Sequence, residues 1–470
     1  MTLALAILLG YSVLFIALGL WIGRRARAGE FFVAGRSLGP GLIFATFLAA
    51  NIGASSTVGA TSLGYAEGLS AWWWNGSAGI GSLVLAFWVG PRMWREATAH
   101  GDLTVGDFLE RRYGRGMRFL SASLIWLGTL TILAAQLLGI AAVLNVVAGF
   151  SLLTGCTIGA LVVVAYFVAG GLLSSAWVNL VQLIVILLGF GIAAPLAVSA
   201  AGGWSAMTAA QGPATDVLSS TGPASGWRLL FLLGPAFIVS PGLLQKAYGA
   251  RDEGTVRRGI AWNGAALLVF ACAPPLIGLA ARALYPGLDQ PDLALPTVLA
   301  GAMPPGVGTL ALAAVFSAEV SSADAVLFML ATSASRDLYR GFVRPSASEA
   351  DVLRVARLAA VVGSLCGVGV AMIYGSVRAA VGVFYAILTV TLFVPVIGGL
   401  YIRGAGPREG LASVLTGVPV LGIVYLATGG RGYGVLSPAL AGMLASAAAF
   451  AAARATRRSS HAAIGSSPQS

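Results

Sequence analysis

Residues 45–65 read A-T-F-L-A-A-N-I-G-A-S-S-T-V-G-A-T-S-L-G-Y and are the most informative segment for the architecture of the chain. It lies in an apolar run long enough to cross a membrane, yet two glycines and four Ser, Thr or Asn residues fall between Asn51 and Gly59. Glycine weakens a helix, and small hydroxyls satisfy backbone that unwinds. The pattern therefore predicts a membrane helix broken near its middle. For this run alone, a close contact between two intact helices is an equally weighted alternative.

A second interruption occurs in residues 231–246, F-L-L-G-P-A-F-I-V-S-P-G-L-L-Q-K. Pro235 and Pro241 each remove a backbone donor and clash with the preceding turn. An ordinary proline kink would explain either residue alone. However, each interrupted run opens a block of five apolar runs, which predicts an inverted-repeat transporter with its site between the two breaks.

The composition of the whole chain indicates a membrane protein. Of 470 residues, 58% are hydrophobic and 10% are charged, whereas soluble domains have about a quarter charged. Apolar runs that can span a bilayer as helices recur thirteen times, without the alternation of a barrel. We number these predicted spans 1–13; they cover residues 1–22, 39–65, 71–94, 117–148, 153–170, 176–200, 229–249, 258–285, 306–337, 352–374, 379–402, 410–428 and 432–455.

The positive charge is distributed unevenly between the two faces of the predicted membrane body. Of 28 Lys and Arg residues, 24 lie in the odd-numbered loops and the C-terminal tail, and the others are Arg228, Arg282, Arg378 and Arg431. This bias predicts that the odd loops and the C-terminus are cytoplasmic and the N-terminus is outside. The net charge of +11 is thus a topology signal and predicts no nucleic-acid partner.

We expect a single transmembrane domain over residues 1–457 and a short disordered cytoplasmic tail over 458–470, which is polar and rich in small residues. Span 1 is predicted to be a retained helix rather than a signal peptide, because Arg24 and Arg25 follow it without a convincing cleavage site. The near-exclusive use of arginine, with Lys246 the single lysine, is typical of a GC-rich bacterial genome. No obligate protein partner is evident.

The scarcity of reactive residues argues against an enzyme. The three cysteines are widely spaced without a C-x-x-C pair, and His100 and His461 are the only histidines. These counts disfavour a thiolate or histidine metal site and a Ser-His-Asp triad. No nucleophile–base pair can be assembled from what remains.

Two carboxylates fall deep inside a span, in A-V-F-S-A-E-V-S-S-A-D-A-V at residues 314–326. Carboxylates in the membrane are costly and usually face a cavity, an ion or a partner. At about 100° per residue, Glu319 and Asp324 lie roughly 140° apart around the helix. They are either protonated, paired with a neighbouring polar group, or close to a bound cation.

The stripe between these carboxylates consists of Ala318, Ser321 and Ser322. Its hydroxyl groups next to a carboxylate suit a hard cation such as sodium, which prefers oxygen ligands. The alternative is that both serines bond back to their own helix.

The chain resembles a known family, the sodium:solute symporters. This family includes bacterial proline and pantothenate carriers, sodium–glucose cotransporters and the choline transporter. The resemblance covers nearly the whole chain. It rests on five motifs: F-F-V-A-G-R-S-L-G at 31–39, A-A-N-I-G-A-S-S-T-V-G at 49–59, G-G-L-L-S-S-A-W-V-N-L-V-Q at 170–182, Q-K at 245–246, and A-E-V-S-S-A-D with S-R-D-L-Y at 318–324 and 335–339.

The resemblance implies an all-α membrane protein with a leucine-transporter-type core of two inverted five-helix repeats, here about 39–200 and 229–402, with extra helices at both ends. It also implies a co-transported sodium ion as cofactor. The ligands of that ion would be the carbonyls of Ala49, Ile52 and Ala318 and the hydroxyls of Ser321 and Ser322.

The positions expected to contact solute match the family less well. Where sugar-transporting relatives carry a glutamate on the third helix, this chain has Asn75, which argues against a sugar. The family's Thr-Asp pair in span 6 is Val178-Asn179 here, so a second sodium site of the glucose-transporter kind is not expected. Asp324 also occurs in choline and pantothenate carriers, whereas Glu319 has no matching precedent.

Further polar residues are candidates for solute binding or coupling. Gln136 could either hydrogen-bond the solute or join two helices, and the tryptophans at 72–74 are predicted to be interfacial anchors rather than pocket walls. The candidates are Asn51, Ser55, Ser56, Thr57, Asn75, Gln136, Ser240, Glu319 and Asp324.

The sequence thus predicts a multi-pass transporter of the bacterial cytoplasmic membrane that imports a small polar organic solute with sodium. An amino acid, an organic cation or zwitterion, or a carboxylate is favoured over a sugar. Two alternatives are a proton-coupled symporter that uses Glu319 or Asp324, and a solute-sensing membrane module without net transport. The sensor is disfavoured because the chain contains no kinase domain.

Overall fold

The computed structural model of the chain describes residues 36–169, 172–209, 216–218 and 225–465, together with isolated positions between 5 and 17. Predicted span 1 lies largely outside the described residues. Within the described part, helices joined by short loops account for most of the chain.

Before residue 210 the chain forms a series of helices that begins with the first interrupted run. They are α1 (Pro40–Asn51), α2 (Ala60–Glu67), α3 (Trp72–Val84), α4 (Gly90–His100), α5 (Val105–Tyr113), α6 (Arg115–Ala148), α7 (Leu152–Ala169), α8 (Leu172–Ala200) and α9 (Gly203–Ala209).

After residue 225 a second series begins with the second interrupted run. It consists of α10 (Gly226–Val239), α11 (Pro241–Tyr248), α12 (Glu253–Phe270), α13 (Ala273–Leu284), α14 (Ala294–Gly301), α15 (Pro305–Thr332), α16 (Glu349–Tyr374), α17 (Val377–Tyr401), α18 (Pro407–Thr428) and α19 (Pro438–Gly465). Wider π-helical turns occur at Ser55–Gly59, Leu85–Val89 and Ser333–Val343.

The predicted spans 2–13 all coincide with helical segments, but the count of thirteen crossings is not reproduced. Nine helices in the described chain are long and apolar enough to cross a membrane, or ten if a bent pair counts as one span. That pair, Pro40–Asn51 with Ser55–His100, contains spans 2 and 3. Span 5 coincides with α7, whose segment Leu152–Ala165 is apolar but shorter than the helices counted as spans.

The first break lies where the glycines and hydroxyls predicted it. Helix α1 ends at Asn51, and Ile52 is extended, with φ −96° and ψ 92°. The chain then turns by 62° and re-enters a helix at Ser55. A Cβ on Gly53 would lie 2.4 Å from the Cβ of Ser322, so only glycine allows this approach between the break and α15.

The second break lies at Ser240, whose φ of −54° and ψ of 119° separate α10 from α11. Pro241 occupies the first position of α11, where its missing N–H costs nothing. Pro235 remains inside α10. The break therefore depends on Pro241, and the sequence pattern identified the segment but not which of its two prolines interrupts it.

Helix α15 is the central element of the bundle. It packs against α1, α6, α8 and α16, and its side chains from Ala311 to Leu330 are buried apart from Ala325. This placement puts the two carboxylates inside the protein rather than against lipid. At the other end of the chain, α19 continues to Gly465, so residues 458–465 of the predicted disordered tail are helical, as a continuation of the preceding span, and 466–470 lie outside the described residues.

Candidate sodium and solute site

Ser321 connects the first broken helix to α15. Its Oγ lies 3.3 Å from the carbonyl oxygen of Ala49 in the last turn of α1. The same Oγ lies 3.3 Å from the carbonyl oxygen of Ala318 in its own helix. Three of the five oxygens that the family resemblance implies as ligands therefore converge on one point.

The other two predicted ligands are adjacent but arranged differently. Ser322 Oγ donates to the carbonyl of Ala50 at 2.9 Å, so this hydroxyl contacts the neighbour of the predicted ligand Ala49. Ile52 is extended and its N–H donates to Leu48, which leaves its carbonyl outside the α1 hydrogen-bond ladder. Neutral oxygens at a helix break are ligands that a sodium ion accepts, so the residues present fit a monovalent cation.

Glu319 lies beside this cluster and contacts the same broken segment. Its Oε1 lies 2.7 Å from Thr57 Oγ1, and Thr57 Oγ1 donates to the carbonyl of Gly53 at 2.9 Å. The residue is fully buried, and its Oε2 has no hydrogen-bond partner within the described chain. Because a Cβ on Gly139 would lie 2.9 Å from Oε2, this carboxyl group fits only against a glycine of α6.

We predict a measurable coupling between Glu319 and Thr57. In a double-mutant cycle of Glu319→Gln and Thr57→Val, the effects on the free energy of unfolding should be non-additive by about 1–2 kcal/mol, the range for a hydrogen bond to a charged or buried group. Equilibrium unfolding of the four proteins in mixed micelles measures this coupling. Additive effects would show that the 2.7 Å contact contributes nothing to stability.

Two side chains from neighbouring helices satisfy the backbone that the break exposes. Gln136 Oε1 on α6 accepts from the N–H of Ala54 at 2.8 Å, and Asn75 Nδ2 on α3 donates to the carbonyl of Ser56 at 2.9 Å. Of the two roles considered for Gln136, the structure shows the joining of helices. Both residues hold the unwound segment in place.

Trp74 corrects the prediction that the three consecutive tryptophans are interfacial anchors. It is 6% exposed, and its Nε1 donates to Ser55 Oγ at 3.1 Å. Trp73 Nε1 donates instead to the carbonyl of Val217. Position near the end of a span suggested an anchor, but tertiary packing turns Trp74 inward to cover the broken helix.

The two breaks meet at a small cavity of about 60 Å³. Asn51 and Ser240, one from each break, both line it, as does Lys246. Asn51 Nδ2 also donates to Asn263 on α12 at 3.1 Å. The cavity therefore brings together the two interruptions that the sequence identified separately, at the place where an inverted-repeat transporter binds its solute.

Lys246 is a functional candidate that the sequence reasoning missed. It is 3% exposed, its Nζ donates to the carbonyl of Thr46 at 2.9 Å, and it interacts electrostatically with Asp324. Asp324 therefore has a cationic neighbour inside the protein. The available signal was that the only lysine of the chain lies in the short helix that follows the break at Ser240.

Comparison with known proteins identifies the family of this chain. Residues 31–417 match the sodium:solute symporter family. The chain belongs to that family. Like its relatives it is a membrane transporter and not an enzyme, and sodium coupling is a general property of the family.

Individual symporters are similar over most of their length. The sodium/glucose cotransporter of Vibrio parahaemolyticus is 24% identical over 411 residues, covering 78% of this chain and 74% of that protein. The sodium/pantothenate symporter of Escherichia coli K12 is 27% identical over 393 residues, covering 77% of each. These relatives carry different solutes, so family membership alone leaves the solute open.

Solved structures confirm the predicted fold class, an all-helical membrane protein of the leucine-transporter type. A Na⁺-coupled sialic acid symporter in a substrate-bound outward-open state superposes with a TM-score of 0.81 at 19% identity, covering 97% of this chain and 98% of that one. Mhp1 in an inward-facing conformation gives a TM-score of 0.56 at 16% identity, covering 91% and 92%.

Proposed function

We propose that this family member imports a small polar organic solute together with sodium by alternating access. The observation that carries the proposal is the position of Ser321 Oγ, 3.3 Å from carbonyl oxygens of both the broken α1 and α15. The proposed ligands are Ala49, Ile52, Ala318, Ser321 and Ser322.

A sodium ion held by these ligands would link ion binding to solute binding through one structural element, the break after α1. The α1 break supplies carbonyls to the ion, and Asn51 of the same break lines the cavity at Ser240. An ion that fixes the break therefore also fixes the solute-facing side chain, and each ligand favours the state that both prefer. The membrane potential adds about 2.3 kcal/mol per charge per 100 mV to accumulation.

The cavity favours a solute that is small and polar. Asn51 and Ser240 offer hydrogen bonds, and Lys246 adds a buried cationic group. Asn75 is turned toward the backbone of Ser56 and presents no carboxylate to a sugar hydroxyl. The proposed location is a bacterial cytoplasmic membrane, with the N-terminus outside and the C-terminus inside. This orientation is supported by the excess of Lys and Arg in the odd-numbered loops and the C-terminal tail.

The test of sodium binding replaces the two hydroxyl ligands. Sodium should stabilise the purified wild type against heat, because a ligand of the folded state raises stability by mass action. Ser321→Ala with Ser322→Ala should raise the sodium concentration for half-maximal stabilisation at least tenfold, the effect of about 1.4 kcal/mol. Potassium chloride keeps the ionic strength constant.

Ser364→Ala serves as the matched control for this test. Ser364 is also a buried serine, on α16, and its hydroxyl has no hydrogen-bond partner within the described chain. Its replacement should leave the sodium response unchanged. An identical sodium response in the wild type and the Ser321/Ser322 double variant would refute the assigned ligands.

A further inference from the structure

Two of the four basic residues on the face predicted to be external line one cavity. The four arginines of that face are Arg228, Arg282, Arg378 and Arg431. Arg228 and Arg378 line a cavity of about 510 Å³. Arg228 Nη2 also donates to the backbone carbonyl of Arg431 at 2.7 Å.

The walls of this arginine cavity are otherwise mainly apolar and aromatic. Leu229 and Leu232 come from α10, Tyr374 and Tyr425 from α16 and α18, and Trp74 from α3. Its size falls in the range of cavities that hold small organic ligands, about 300–1,000 Å³. Apolar walls with a few polar groups at one end are the usual construction of such sites.

The positive charge in the arginine cavity is not neutralised by protein carboxylates. No Asp or Glu lines the cavity, and neither Arg228 nor Arg378 takes part in an ion pair within the described chain. Nε of Arg378 is buried without a hydrogen-bond partner. Asp292 accepts from the N–H of Val377 at 2.9 Å. Unpaired guanidinium groups in a cleft of low polarity attract anions.

The cavity adjoins the first broken helix. A Cβ on Gly59 would lie 3.8 Å from Cγ of Arg378, so the stem of this arginine packs over the end of the π-helical turn. Trp74, at another wall, donates to Ser55 in the same turn. A ligand held by Arg378 would therefore lie next to the segment that also supplies the proposed sodium ligands.

We propose that the arginine cavity is a second binding site, separate from the small cavity between the two breaks, and that it takes a small organic anion with an apolar body. A carboxylate would pair with the guanidinium of Arg378, which offers planar donors to a planar acceptor, and the apolar body would contact the leucines and tyrosines. This inference goes beyond the proposed function, since it adds a ligand site on the predicted external face.

Binding of a matched pair of probes tests the proposal. We expect phenylacetate to change the tryptophan fluorescence of the purified, detergent-solubilised full chain with saturation, and phenylacetamide, which has the same ring but no charge, to bind at least tenfold more weakly. Arg378→Gln should weaken phenylacetate at least tenfold, whereas Arg378→Lys, which keeps the charge, should recover part of the loss. Arg282→Gln is the matched control, because Arg282 is on the same predicted face but outside the cavity.

Three results would overturn the proposal. These are equal binding of phenylacetate and phenylacetamide, unchanged binding in Arg378→Gln, and displacement of phenylacetate by phosphatidylglycerol that itself produces the fluorescence change, which would identify a lipid site. The sodium-dependent thermal shift is measured on the same samples. If that shift persists while the anion preference is absent, only the proposed anion site fails; if the shift is absent from the wild type, the proposed sodium coupling fails.

Discussion

Gly53→Ala is expected to remove the sodium response of the protein almost completely. The added Cβ would lie 2.4 Å from both Cβ and Oγ of Ser322 and 2.7 Å from Oε1 of Gln136. Contacts this short cannot be accommodated, so the break must move away from α15. Because the proposed sodium ligands are divided between these two elements, a shift of even about 1 Å separates them, and overpacking costs a further 1–3 kcal/mol, roughly, of stability.

Gly41→Ala is the matched control for this variant. Gly41 lies in α1, the helix that precedes the break, and a Cβ there meets nothing within 4 Å. It should leave the sodium response unchanged and raise stability slightly, since alanine favours a helix over glycine. Sodium titrations of both variants by thermal shift provide the measurement. If Gly53→Ala kept a wild-type half-saturation, the break and α15 would not form one ion site.

The broken helices were predictable because their cause is local. Glycine and hydroxyl residues around Gly53 and the proline at 241 weaken a helix wherever it lies. The same holds for the stripe of Ser321 and Ser322, which needs only the helical period. In each case the sequence itself contains the physical reason, and no contact with a distant segment is required.

The partners across these elements were not predictable, because they depend on how helices pack. Thr57 and Glu319 are 262 positions apart, and no pattern in either helix indicates which face meets the other. Trp74 was misassigned for the same reason. A position near the end of a span fits an anchor, but the helix rotation that turns its ring toward Ser55 follows from tertiary contacts.

The charge distribution predicted which loops share a face but not how their charges are used. Arg118 lies in the first turn of α6, and three carboxylates surround it in the structure. Its Nη2 lies 2.9 Å from Asp107 and 3.0 Å from Asp337, and its Nη1 lies 2.5 Å from Glu110. Arg118, whose charge contributed to the prediction of membrane topology, thus also joins α5 and α6 to the π-helical turn that follows α15.

Arg118→Ala is expected to lower the free energy of unfolding by about 3–5 kcal/mol, the cost of removing one partner from a buried ion pair. The side chains of Arg118 and Asp337 are 13% and 7% exposed, so Asp337 would lose its cationic partner where water has little access, with Thr104 Oγ1 at 2.7 Å as its remaining recorded donor in the described chain. Equilibrium unfolding in mixed micelles measures the loss.

Arg354→Ala distinguishes this effect from the loss of a positive charge alone. Arg354 also faces a carboxylate, Asp351 at 3.8 Å, but its side chain is 81% exposed, and such surface pairs contribute about 0–1 kcal/mol. Arg118→Lys should fall between the two, because an ammonium group keeps the charge but cannot reach three carboxylates as a planar guanidinium does. Equal stability of the Arg118 and Arg354 variants would mean that the cluster at Asp337 is solvated and that the three elements are held together by apolar packing instead.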